Sequence, residues 1–176
     1  LRMTPEPHRV SITQIVEDIW IVEGTQIRFF APPFPVRFPY QIRMVVVRLW
    51  DGSLFVNSPV QLTSAVKHAV DGLGVVGHIV SPNKLHHLYM GDWAIAYPNA
   101  QLYASSGLVE KRPDLDFSAT LGDAAEPPWK GQLDQIVVGG SIFMSETVFF
   151  HRASATLILG DLIENHDPRI FSPMER

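Results

Sequence analysis

The chain has 176 residues, a formal net charge of −4, 46% apolar and 18% charged residues, and no cysteine. That length suits one domain with a substantial core, the composition excludes disorder, and the lack of cysteine excludes disulfides, thiolate ligands and a cysteine nucleophile. No Lys or Arg run supplies the basic face that a nucleic acid requires. No apolar run approaches the ~20 residues of a bilayer span. The opening residues lack the basic-then-apolar pattern of a signal peptide, so the expectation is a soluble, cytoplasmic domain with no membrane partner.

Residues 12–22 are rich in Ile, Val and Trp and predict two short strands around a turn near Glu17-Asp18. Residues 29–40 contain Pro32, Pro33, Pro35 and Pro39, which predicts a loop outside any sheet. Its aromatic residues suggest a flap, a subunit contact, or a loop packed on its own domain. Met44 to Trp50 and Ser53 to Asn57 flank Asp51-Gly52, a strong hairpin signal because Gly adopts positive φ readily. Thr63 reads as the N-cap of a helix closing near Gly72 or Gly74. A buried strand at 75–80, a loop at 81–87, a short helix near 88–96 and a strand at 100–104 follow. Residues 109–130 predict only short structure. Strands at 134–138, 147–150 and 156–159 come last, the final two joined as a hairpin. Hairpins at both ends with strand–helix alternation between them predict a mixed α/β sheet covered by helices.

The loop Ser81-Pro82-Asn83-Lys84-Leu85-His86-His87 sits between a buried strand and a helix, where ligands collect in α/β sheets. Asp161 follows the apolar run 156–160, and a carboxylate there must meet a cation or donors. His86, His87 and Asp161 are a chemically suitable set for zinc, iron or manganese. Histidines held by ordinary hydrogen bonds fit the same residues, and both readings stay open. His8, His68, His78, His151 and His166 read as structural or solvated.

The order of these elements resembles the metallo-β-lactamase superfamily. Residues 78–93 and 149–163 look like an uncharacterised domain-of-unknown-function family within it, and the similarity runs from about Ile12 to Ile163. The resemblance implies an αββα sandwich that ends before the superfamily's last elements. The superfamily's His-x-His-x-Asp-His pattern falls on Pro82, Lys84, His86 and His87, and its later histidine falls near Gly139-Gly140-Ser141. One metal position therefore lacks its histidines. The other keeps His87, has His86 in place of aspartate, and has Asp161 as the bridging carboxylate.

Two states follow from that resemblance. In one, a single zinc, iron or manganese ion is held by His86, His87 and Asp161 and activates water against an ester, thioester or amide. In the other, no metal binds and the Lys84 ammonium neutralises Asp161. The second state leaves a binding or scaffold protein for an unspecified small molecule. Asn83 and Glu146 are further residues placed near this pocket, and uncovered sheet surface predicts a homodimer.

Overall fold

The computed structural model describes residues 11–30, 37–140 and 145–163. Three successive antiparallel pairings come first among the described residues, joining β1 (Ile12–Val16), β2 (Ile19–Phe30), β3 (Arg37–Arg48) and β4 (Ser53–Asn57). Asp18 turns the first tip with a φ of 61°. At the β3–β4 turn Gly52 has a φ of 84°. The Asp51 carboxylate closes that turn by accepting from the Ser53 amide and hydroxyl at 2.9 and 2.7 Å. The Asp-Gly signal is thus realised as a hairpin.

Helix α1 (Ser64–Asp71) starts where the Thr63 hydroxyl accepts from the Val66 amide at 3.2 Å, the capping bond that the sequence predicts. Strand β5 (Val75–Val80), helix α2 (Met90–Ala96), strand β6 (Gln101–Ala104), the one-turn helix α3 (Leu108–Lys111) and strand β7 (Ala119–Thr120) follow. Strands β8 (Leu133–Val138), β9 (Glu146–His151) and β10 (Thr156–Ile158) form a second, antiparallel sheet in the order β10-β9-β8.

The large sheet runs β1-β2-β3-β4-β5-β6-β7. It is antiparallel up to β4 and parallel from β4 to β7. Alternation along each strand divides its side chains between two cores. Val46, Leu54, Val56, Ile79 and Leu102 pack with Val66 and Val70 of α1 and Trp93 of α2. Val47, Phe55, Val80 and Tyr103 instead face Leu133, Phe149 and Ile158 of the small sheet. Period-two patterning is what lets one strand serve both layers. Trp129 fills the space between the sheets, edge-on to Tyr103 and Phe55 with ring centroids 4.7 and 5.0 Å away. Its indole N–H donates to Gln135 Oε1 at 2.9 Å, so burial leaves no donor unpaired.

One expectation is corrected. Residues 29–30 and 37–40 are not a loop outside the sheet, because Phe29 pairs with Phe38 and Arg28 with Pro39 as β2 and β3 continue past their other neighbours. In that stretch the two strands form a ribbon whose far edges carry no further strand among the described residues. Proline is tolerated in such a two-stranded ribbon where its nitrogen faces the open edge rather than the partner strand. Residues 31–36, the rest of the expected flap, lie outside the described residues.

On the small sheet Ile136, Phe150 and Leu157 are exposed, with Phe150 paired to Leu157 across the β9–β10 ladder. Among the described residues no helix is long and apolar enough to cross a membrane.

Candidate functional site

The parallel pairing of β4, β5 and β6 brings the C-terminal ends of these strands to one edge of the large sheet. The loop after β5 is shaped by its own side chains. Ser81 Oγ donates to the Asn83 carbonyl at 2.8 Å, and Asn83 Oδ1 accepts from the amides of Leu85 and His86 at 2.8 and 3.3 Å. These bonds make the loop double back. The Pro82 carbonyl accepts from the Thr147 amide at 2.8 Å, which ties the loop to β9.

His86 is held at both ring nitrogens. Nε2 lies 2.9 Å from Asp161 Oδ1, and Nδ1 lies 2.5 Å from Ser58 Oγ. Asp161 is fixed in turn by the Asn83 amide group, which donates to Oδ2 at 3.0 Å. Beneath them Glu146 is fully buried and accepts three donors: the Asn83 side chain at 2.9 Å and the backbone amides of Gly160 and Asp161 at 2.7 and 2.6 Å. A Cβ on Gly160 would stand 2.7 Å from Glu146 Oε2, so the close approach requires glycine there.

Burial pushes the Asp161 carboxyl upward, but the His86 hydrogen bond and charge, with the Asn83 donor, outweigh it and hold the group below the usual carboxylate range. An ionised carboxylate only accepts hydrogen bonds, so His86 Nε2 carries the proton that faces it. In the neutral imidazole, Nδ1 is then the acceptor and the Ser58 hydroxyl the donor.

His87 faces a different environment. The Arg112 guanidinium stands 3.1 Å from its Nδ1 and donates to its carbonyl at 2.9 Å, while pairing with Asp114 at 2.6 Å. Burial first, then the charges of Lys111 and Arg112, push the His87 pKa down. A neutral His87 accepts from Arg112 at Nδ1 and carries its proton on Nε2. Lys84 is exposed and forms no ion pair with Asp161. Its stem crosses Gly107, where a Cβ would be 2.5 Å from Lys84 Cε and where φ is 72°. The Lys84 carbonyl accepts from Lys111 Nζ at 2.8 Å.

The structure therefore brings together His86 and Asp161, with Asn83 and Glu146 behind them. It sets His87 on Arg112 and Lys84 on Gly107. Asp161 is met by the hydrogen-bond donors of His86 and Asn83 rather than by the Lys84 ammonium. Two participants are absent from the sequence reading. Ser58 carried only the weak signal of a Ser-Pro step after a buried strand, and Arg112 carried none. Asn57 Oδ1 and Ser105 Oγ, at the ends of β4 and β6, are buried without a hydrogen-bond partner among the described residues.

A family described as a domain of unknown function, DUF4336, matches residues 17–173. The chain belongs to this family. No curated protein matches it. Among solved structures, this DUF4336 chain is similar to the DIM-1 metallo-β-lactamase exposed to ceftazidime, at 15% identity and a TM-score of 0.59, over 81% of the chain and 65% of that protein. The mono-zinc form of the FIM-1 metallo-β-lactamase from Pseudomonas aeruginosa matches at 11% identity and a TM-score of 0.59, over 82% of this chain and 66% of that one. The metal-soaked Flv1 flavodiiron core from Synechocystis sp. PCC6803 matches at 10% identity and a TM-score of 0.60, over 81% of this chain and 39% of that one. These likenesses establish a metallo-β-lactamase-like fold, and the chain spans about two thirds or less of each of these relatives.

Some of those relatives are metal proteins by description, so the donor set here is tested against a metal. Among the described residues no three His, Cys, Asp or Glu side chains are grouped to hold an ion. Of the expected set, only His86 and Asp161 meet. The His87 Nδ1 lone pair faces a cation, which opposes a second one. A three-residue metal centre does not fit this arrangement.

Proposed function

We propose that this DUF4336 chain is a metallo-β-lactamase-fold protein that works without a resident metal, its strand-end site binding a small molecule. The observation that carries the reading is the occupation of the imidazoles. His86 is bonded at both nitrogens by Asp161 and Ser58, and His87 receives a guanidinium at Nδ1. Asn83 and Glu146 complete a closed network in which each acceptor has its donor. That network fixes Asp161 without a cation. The ligand meets a largely buried imidazole–carboxylate pair, whose side chains each retain 21% of their exposure.

A second reading is favoured by one feature of the same pair. His86 Nε2 and Asp161 Oδ1 converge, and Nδ1 is backed by an oxygen, as the far nitrogen of a ligating imidazole usually is. In that reading His86 and Asp161 would hold one zinc, iron or manganese ion, which would supply Lewis acidity and an acidified water when bound. Metal analysis of protein purified without chelator separates the two. The expected result is far less than one equivalent, with no gain on incubation with zinc. About one equivalent that disappears in His86→Ala would overturn the metal-free reading.

A further inference from the structure

Ser58, His86 and Asp161 lie in one hydrogen-bonded line, hydroxyl to imidazole to carboxylate. We infer that Ser58 is a nucleophile and that this line is a metal-free relay for taking an acyl group from a small ester or thioester. The inference rests on the metal-free reading above.

Three features of the molecule support it. The first is order: an orienting carboxylate, a base and a nucleophile in contact are the parts that serine-based acyl transfer requires. The ring nitrogens are exchanged relative to the common arrangement, with Nδ1 toward serine and Nε2 toward aspartate. That exchange changes no chemistry, because either nitrogen of imidazole accepts a proton once the other is pinned as N–H.

The second feature is the backbone. Ser58 has a φ of 59°, left-handed and non-glycine, on the turn directly after β4 and before Pro59. Its amide is anchored to the Val80 carbonyl at 2.9 Å. Ser58 is buried at 7% exposure, and the strained strand-end turn holds its hydroxyl against His86 Nδ1. The third is support. The Asn83 and Glu146 network fixes the carboxylate that orients the imidazole, so these two are positioning residues.

The step balances without a co-reactant other than water. Ser58 Oγ bonds to the carbonyl carbon as its proton passes to His86 Nδ1, and Asp161 stabilises the imidazolium through Nε2–H. The tetrahedral adduct expels an alkoxide or thiolate, which takes the proton from Nδ1 as the C–O or C–S bond breaks. Water then attacks the acyl-serine and gives a proton to Nδ1. Ser58 Oγ leaves with that proton, releasing the carboxylic acid.

The test is labelling of the intact chain with a fluorophosphonate, read by intact mass and peptide mapping, with and without EDTA. One adduct on Ser58, unchanged by EDTA, is expected. It is absent from Ser58→Ala and from Ser58→Gly, the latter a variant that suits the left-handed φ. Labelling slows about a hundredfold or more in His86→Gln, the loss expected for a general base. Folded, metal-free protein that stays unlabelled, or is labelled elsewhere, overturns the relay and leaves the metal-free reading standing. Protein that carries stoichiometric metal and remains unlabelled overturns both. Metal-bearing protein whose Ser58 is labelled after chelation overturns only the metal-free reading and supports the relay.

Discussion

His86 and His87 are adjacent in the chain and yet occupy opposite electrostatic settings. His86 faces a carboxylate and a hydroxyl, whereas His87 faces a guanidinium with a lysine nearby. The same residue type is thereby a candidate base on one side of the loop and a neutral structural acceptor on the other. Neighbours brought in from β4, β10 and the segment after α3 decide the role, not the histidine itself. The lesson for this fold is that an adjacent histidine pair is not by itself a pair of ligands.

The strongest way to break the comparison is to remove the support under His86. Glu146→Ala strands one buried donor, the Asn83 side chain, and two part-buried backbone amides, and opens space beneath Asp161. A loss of about 3 kcal/mol or more is expected in urea unfolding, since each unsatisfied buried group costs about 1–3 kcal/mol. A loss under about 1 kcal/mol would mean that the network does not hold the site. Next in size is Gly160→Ala, whose new Cβ meets the Glu146 carboxylate. About 1–3 kcal/mol of destabilisation is expected from the forced shift, read by the same unfolding curve. Gly139, directly after β8 and with open space where a Cβ would stand, serves as the control position and should tolerate alanine.

A third variant converts His87 toward His86. Arg112→Met removes the guanidinium from His87 Nδ1 and frees its lone pair. Zinc added to this variant should give measurable binding by titration calorimetry, at least about tenfold above any residual uptake by the parent, the scale of effect seen when groups around a metal site change. Equal affinities would show that Arg112 is not what withholds His87 from a metal.

Much of the fold was legible because its signals are local. Asp51-Gly52 closes a hairpin with its own side chain, Thr63 caps its own helix, and Val46-Val47 or Ile79-Val80 alternate between layers by period alone. Pro39 misled because proline's effect depends on which strand edge is open, a property of the sheet rather than of the residue. The site divides along the same line. Asp161 was readable as an acid ending an apolar run, and Asn83 and His86 as part of the loop between a buried strand and a helix. Ser58 was not, because it lies 28 residues before His86 and reaches it only through the β4–β5 register. Arg112 follows His87 by 25 residues and belongs to a stretch whose composition predicts little structure.

The smallest expected effect is on pH dependence, and it too separates the histidines. The folded-state pKa of His87 is lowered by burial and by Lys111 and Arg112. Below about pH 6.5, the ordinary histidine value, the unfolded chain binds a proton at this residue that the folded chain resists. The unfolded state then holds more protons, so stability rises with pH. The contribution is fully present above about pH 6.5 and is lost as pH falls from there toward the folded value. His78 and His151, also lowered by burial, act in the same direction. Urea midpoints at pH 7.5 and 5.5 should therefore fall with acidification in the parent chain. His87→Gln, which cannot charge in either state, should show a smaller fall. A variant that acidifies as steeply as the parent would remove His87 from the electrostatic contrast and leave the buried His78 and His151 as its source.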